Sequence, residues 1–350
     1  MRDLLGLNLV EMQDFVREIG ERPFRAGQIL KWIYKKGVSD IGEMTDLSVD
    51  FRSKLSGEAR IKNITPEDVM VSGDGTIKFL FRLEDGESIE SVLISEDKRT
   101  TLCVSSQVGC PLGCTFCLTG RMGFLRNLKA HEIIGQIVAV KNYQSREGGS
   151  NTRITNIVFM GMGEPLLNFD EVFRSIDIIC SDWGLGFSWR KVTLSTAGIP
   201  GGILEMGRVR PLNLAVSLNA PDDETRDRIM PINKRYPLKD LISALREYPL
   251  KRGRRITLEY VMLRGVNDTP DSAKALVSLI RGLKVKVNLI PFNPFSGAPY
   301  ERPDDAAVEK FRDILTRANL NAIIRDSRGG DISAACGQLS SKVKEYGNKV

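Results

Sequence analysis

The chain has a single histidine, His131, in 350 residues. That excludes centres built on several imidazoles, and His131 itself sits in a stretch that reads as helix. No apolar run approaches the eighteen or so residues of a membrane helix. The opening residues, Met1 to Asn8, carry neither the apolar core nor the cleavage site of a secretory signal. A cytoplasmic protein without a membrane partner is therefore expected, in a compartment where thiols stay reduced. The six cysteines are even in number, but there they do not argue for structural disulfides. No internal repeat and no low-complexity linker interrupts the chain, and Arg146-Glu147-Gly148-Gly149-Ser150-Asn151 is the clearest loop. With 42% hydrophobic and 27% charged residues the composition is that of a globular protein, long enough for one large domain or two. Acidic residues fall short of basic ones by six. Arg208 with Arg210, Lys234-Arg235 and Lys251-Arg252-Gly253-Arg254-Arg255 form clusters, and Arg22, Arg25, Lys31, Lys35 and Lys36 gather near the start. Such groups make phosphate contacts or simply face water.

What is present is a concentration of sulfur. Cys110, Cys114 and Cys117 stand at the spacing C-x3-C-x2-C. Structural zinc takes four ligands, usually as two separated pairs, and four thiolates hold an ordinary iron–sulfur cluster. Three thiols suit a cubane with one iron left open to a small molecule. A loop of reduced cysteines, or a zinc site with a distant fourth ligand, is the plainer alternative.

Around this loop the periodicity changes along the chain. Residues 1–60 read as short helices, with Pro23 in a first turn, Gly37 just past an end, and Ser48 capping a second helix. From 67 to 95 the period is two, with a hairpin turn at Asp85-Gly86. Glu90 shares a face with Val92 and Ile94 there. It is either an edge-strand carboxylate turned to water or a desolvated group with a raised pKa, suited to a base. From residue 100, strands at 100–108, 153–160, 189–195, 211–218, 255–262 and 284–291 alternate with helices at 130–144, 169–181, 200–207, 223–229 with 238–247, 270–281 and 304–318. A further strand is possible at 322–324. The fold class is α/β: six strand–helix units curl a parallel sheet into a partial barrel behind a helical N-terminal domain and a β-hairpin extension. The expected boundaries are 1–60, 61–99 and 100–350.

Chemistry in such barrels sits at the C-terminal ends of the strands. The first strand ends at the cysteine loop. The second ends at Gly161-Met162-Gly163-Glu164-Pro165, where glycines let the backbone approach a ligand and Glu164 offers a carboxylate to an amino group. Later ends carry Ser195, then Ser217-Leu218-Asn219, then Asn293. Cys336, between glycines, is an exposed-loop nucleophile candidate, with helix expected after it, whereas Cys180 reads as core.

The cysteine spacing followed by Leu118-Thr119-Gly120 resembles the radical S-adenosylmethionine (SAM) superfamily. Leu102 to Cys110, Phe24 to Ile29, Glu43 to Leu47 and Asp331 to Gln338 look more narrowly like the RlmN family of RNA adenine carbon-2 methyltransferases. The resemblance implies one [4Fe-4S] cluster on Cys110, Cys114 and Cys117, its fourth iron chelated by SAM. It implies SAM contacts from Gly163, Glu164, Ser195, Ser217, Leu218, Asn219 and Asn293, although Asn219 replaces an expected histidine. It implies a methyl carried on Cys336, a proton taken by Glu90, and release by Cys103 through a transient disulfide, with two SAM consumed per turnover. The implied substrate is an unstacked adenosine in 23S rRNA, and in tRNA beside the anticodon. The N-terminal domain would dock RNA, and an electron donor such as flavodoxin or ferredoxin would serve a monomer. Methylation at adenine carbon 8 by the same machinery, a radical SAM enzyme acting on protein or metabolite, and a non-catalytic iron–sulfur RNA-binding protein are the competing readings.

Overall fold

The computed structural model describes residues 1–146 and 153–340. Most of the expected loop at 146–151, and the helix expected after Cys336, lie outside the described residues.

One ten-stranded sheet carries the molecule, and its spatial order is its sequence order. The strands are β1 (Pro66–Val71), β2 (Ile77–Arg82), β3 (Ser88–Glu96), β4 (Arg99–Cys103), β5 (Asn156–Phe159), β6 (Val192–Thr196), β7 (Asn213–Ser217), β8 (Ile256–Met262), β9 (Val285–Pro291) and β10 (Asn321–Ile324). From β1 to β4 the pairing is antiparallel. From β4 to β10 it is parallel throughout. A helix follows each parallel strand before the next, as required to cross back over the sheet. Parallel strands are covered on both faces, and in β7 Leu214, Ala215 and Val216 are buried in succession. The result is an open α/β partial barrel, with 322–324 supplying the extra strand.

Two strands are shorter than expected. The stretch 100–108 breaks after Cys103, because Ser106 and Gln107 turn to donate to Met162 O and Gln107–Gly109 pairs instead with Phe124–Asn127. The stretch 189–195 starts late, because Ser188 caps a 3-10 turn over Trp189–Lys191.

The first sixty residues form the expected helices. Ser48 accepts from Phe51 N–H at 3.3 Å, and Gly37 ends its helical run at φ +71°. This unit docks on the barrel's helical layer. A Cβ on Gly27 would stand 2.6 Å from the Trp183 ring, and Arg174 pairs with Glu11 at 3.2 Å. The Lys251–Arg255 and Arg208/Arg210 clusters precede β8 and β7, so they lie at the face opposite the strands' C-terminal ends. Lys251 and Arg254 are spent partly on Trp189, at 3.9 and 5.8 Å from its ring centre.

Candidate active site

The cysteine loop leaves the short strand Gln107–Gly109 and turns at Gly109, where φ is +73° and a Cβ would stand 1.9 Å from Gly123 O. Cys110 N–H donates to that same oxygen at 2.8 Å, so only glycine fits. The three thiols are half-buried and free. They pack against an apolar wall that includes Leu112, Phe116, Ala220, Met230 and Phe292. Burial pushes all three up, Cys110 to about 12, and the charge of Cys117 adds to the rise in Cys110 and Cys114. Thiolates held this close need a metal to offset their repulsion. Among the described residues no three His, Cys, Asp or Glu side chains converge as ligands of one ion. Three thiols on one short loop, within reach of one another's charge, are a donor set that fits an iron–sulfur group with one position left to another ligand.

Glu164, at the end of the turn after β5, is 2% exposed. Its two oxygens accept from Leu166 N–H at 3.1 Å and Ala197 N–H at 2.7 Å. Burial raises its pKa to about 7 against those bonds. The glycines of this turn serve the protein first. A Cβ on Gly161 would meet Ser105 Oγ at 2.7 Å, and one on Gly163 (φ +99°) would meet Gln107 Cβ at 2.5 Å. They let the β5 turn close on the chain entering the cysteine loop. Because folding raises the Glu164 pKa, the folded chain holds its proton more tightly. That contribution is full below about 4.5 and is lost as pH rises through about 7, roughly 3 kcal/mol in all. In SAM-free protein, the melting temperature of wild type relative to Glu164→Gln should fall between those values. A difference that stays level across that range would refute the assignment.

Ser195 and Ser217 are half-buried near the ends of β6 and β7, and Leu218 is fully buried beside Ser217. Asn219 is a backbone device. It adopts φ +59°, its Oδ1 accepts from Val261 N–H at 2.8 Å, and its carbonyl accepts from Asn267 at 2.7 Å. An asparagine tolerates that left-handed turn, which accounts for the residue standing where histidine was expected.

The Cys336 loop sits directly over this mouth. Leu118 N–H donates to Gly337 O at 2.7 Å, Thr119 Oγ1 to Leu339 O at 2.7 Å, and Asn293 Nδ2 to Cys336 O at 3.3 Å. Cys336 is exposed in area, yet surrounding protein raises its thiol to about 11 by desolvation first and then by the charge of Glu259. Cys103, the last residue of β4, is buried in the core and raised to about 12, by burial and then by Cys336 itself, which lies within its electrostatic reach. Glu90 is on an interior strand and 0% exposed, so the solvent-facing alternative is overturned. Its Oε2 accepts from Ser340 N–H at 2.7 Å, and Lys78 Nζ stands 3.2 Å from Oε1. Burial raises its pKa despite the lysine.

With this geometry in view, the chain was compared with known proteins. A protein of Pelobacter propionicus named Dual-specificity RNA methyltransferase RlmN is 52% identical over 97% of this chain and 96% of its own length. One of the same name from Geobacter sulfurreducens is 49% identical, covering 98% and 93%. The chain belongs to the RlmN family. Residues 2–61 match the model for the ribosomal RNA large subunit methyltransferase N-terminal domain, and residues 104–276 match the radical SAM superfamily. The crystal structure of a radical SAM methyltransferase from Sphaerobacter thermophilus superposes with a TM-score of 0.92 at 42% identity, covering 98% of this chain and all of that one. RlmN membership bears out the motif reading, and the superfamily implies a [4Fe-4S] cluster and SAM.

Beyond the motifs, the RlmN site contains groups that no sequence pattern singled out. A clamp at the root of the Cys336 loop joins residues more than 250 apart: Ser72 Oγ donates to Asp331 Oδ1 at 2.6 Å, and Gly329 N–H to Asp74 Oδ2 at 2.9 Å. Glu259 on β8 accepts from Asn288 Nδ2 on β9 at 3.0 Å inside the barrel. Arg226 is wholly buried beneath the strand ends. The clamp's signal is spatial alone. Arg226 sits on a short polar helix whose sequence reads as surface.

Proposed function

We propose that this chain methylates carbon 2 of an adenosine in RNA, through a methyl group carried on Cys336. The observation that carries the reading is the double seating of one loop. It bonds the end of the cysteine loop through Gly337 O and the Glu90 carboxylate through Ser340 N–H, so Cys336, adjacent to Gly337, belongs to the one segment that touches both. Cys110, Cys114 and Cys117 would hold a [4Fe-4S] cluster. Gly163, Glu164, Ser195, Ser217, Leu218, Asn219 and Asn293 would contact SAM, Asn219 through its backbone. When bound, the cluster and SAM supply radical chemistry, which a ring carbon between two nitrogens requires because it is no nucleophile.

The chain's own residues do the rest. Cys336, as thiolate, accepts a methyl from SAM. Once that carbon has joined the base, Glu90 takes the proton leaving the ring carbon. Its Oε2 is held by Ser340 N–H and its Oε1 lies beside Lys78 Nζ, so the carboxylate is fixed in place next to the Cys336 loop. Cys103 thiolate then attacks Cys336 sulfur. The sulfur–sulfur bond forms, the bond from Cys336 sulfur to the carried carbon breaks, and that carbon leaves with the electron pair and takes up a proton, such as the one the Cys103 thiol gave up, so the methylated base departs.

The substrates are 23S rRNA and tRNA, docked in part through residues 2–61. The enzyme is a cytoplasmic monomer fed by flavodoxin or ferredoxin. No helix among the described residues is long and apolar enough to cross a membrane. The test is to incubate the anaerobically reconstituted protein with unmodified rRNA and tRNA, digest both, and compare the nucleosides by mass spectrometry with 2-methyl- and 8-methyladenosine. Only the 2-methyl product is expected. The 8-methyl product would assign the sibling activity, and no methylation would overturn the reading.

A further inference from the structure

We infer that Arg226 is a positioning residue for the cysteine-loop site: a buried guanidinium without a carboxylate partner, whose charge favours the reduced state of the cluster and whose N–H groups hold the strand ends that face the methyl donor. The inference rests on the cluster proposed at Cys110, Cys114 and Cys117.

Arginine is almost never fully buried unless an anion pairs with it. Arg226 is 0% exposed, yet each acceptor it meets is neutral. Nε donates to Leu218 O at 3.0 Å, and Nη2 donates to Ala197 O at 2.5 Å and Ser217 O at 3.2 Å. Nη1 donates to Asn233 Oδ1 at 2.8 Å. The nearest carboxylates on its own helix stand behind that asparagine, which donates to Asp223 Oδ1 at 2.9 Å and Asp227 Oδ1 at 2.7 Å. Asn233 thus stands between the guanidinium and these two carboxylates, whose charges still reach it without direct contact. Three carbonyls at the ends of β6 and β7 also match a planar fork that lysine cannot reproduce.

The C-terminal end of the same helix meets the cysteine loop. Ile229, three residues after Arg226, accepts from Thr115 N–H at 3.0 Å, and Thr115 is the neighbour of Cys114. Ile229 and Met230 lie in the apolar cluster against which the three thiols pack. With every hydrogen bond spent on a neutral acceptor, the cation is left to act on the proposed thiolate-ligated group that the end of its helix borders. A cubane held by three thiolates is negative, and one electron from a low-potential reductant makes it more so, with no bond made or broken. A fixed cation in a poorly solvated wall stabilises the more negative form more strongly, and net charge is among the factors that set cluster potentials.

The test is a potentiometric titration of the anaerobically reconstituted full chain with dithionite, read by electron paramagnetic resonance of the reduced cluster. Arg226→Met should lower the reduced-to-oxidised ratio at the wild-type midpoint by about tenfold, equivalent to about 59 mV for one electron. Arg226→Lys should keep the midpoint near wild type while weakening SAM binding, because charge survives and the fork does not. Asp227→Asn, a milder change at a half-buried position, should shift the midpoint the other way, roughly two- to threefold in the ratio. If Arg226→Met does not fold, Arg226→Gln, which keeps side-chain N–H donors but no charge, decides by the same downward shift. Unmoved midpoints in a wild type and variants that all take up iron would overturn the inference alone. A wild type that takes up no iron would overturn the cluster reading with it.

Discussion

Purified from cells, Cys103→Ala protein should carry RNA bonded covalently to Cys336. Removing this thiol leaves the carbon carried on Cys336 joined to the base with no nucleophile to free it. The geometry makes the expectation specific. Cys103 ends β4 in the core, and the Cys336 loop closes over the same strand ends. No other cysteine can substitute. Cys180 sits in the helix Phe169–Cys180, and the remaining three belong to the cysteine loop. The buried side chain is small, so cavity formation should cost on the order of 1 kcal/mol and leave the fold intact. Nuclease digestion followed by mass spectrometry should find a nucleotide on the peptide containing Cys336, and turnover should fall by at least about a thousandfold. Free protein turning over at the wild-type rate would remove Cys103 from the mechanism. In wild type the same peptide should carry a methyl group.

Replacing Cys114 by alanine should remove both iron and activity. Of the three thiols it feels both of the others and the Arg226 charge, and burial holds it well above an ordinary thiol. With two ligands left, the loop cannot retain a cubane. Iron per chain should fall to near zero, the visible absorption should vanish, and methylation should drop to background, more than about a thousandfold. The melting temperature of the metal-free protein should hardly change, since the half-buried thiol makes no hydrogen bond on which the loop depends. A Cys114→Ala protein that kept its iron would return the loop to the plainer reading of three reduced cysteines.

Much of this architecture was legible beforehand because it is written in local periods. The apolar alternation of 284–291 and the three- and four-residue spacing of Leu238, Leu241, Ile242 and Leu245 are local properties that survive folding unchanged. So are Ser48 as a cap and Gly37 as a stop. The strand expected at 100–108 ends at Cys103 because Ser106 and Gln107 bond to Met162 O, some fifty-five residues on, and nothing along the stretch itself carries that contact. Glu90 was undecidable for a related reason. Alternation shows which residues share its face, but not whether the strand lies inside the sheet.

The sequence by itself determined the cysteine spacing, the order of strands and helices, and the family to which they belong, since each is carried by neighbours along the chain. Only the tertiary structure decided that Cys336 lies over Cys103 and the cysteine loop, that Glu90 is dry, and that Arg226 is buried on neutral acceptors beneath the strand ends. Those facts depend on which distant segments share a solvent-free volume. Burial, hydrogen-bond satisfaction and charge compensation are properties of that volume, and no stretch of chain carries them alone.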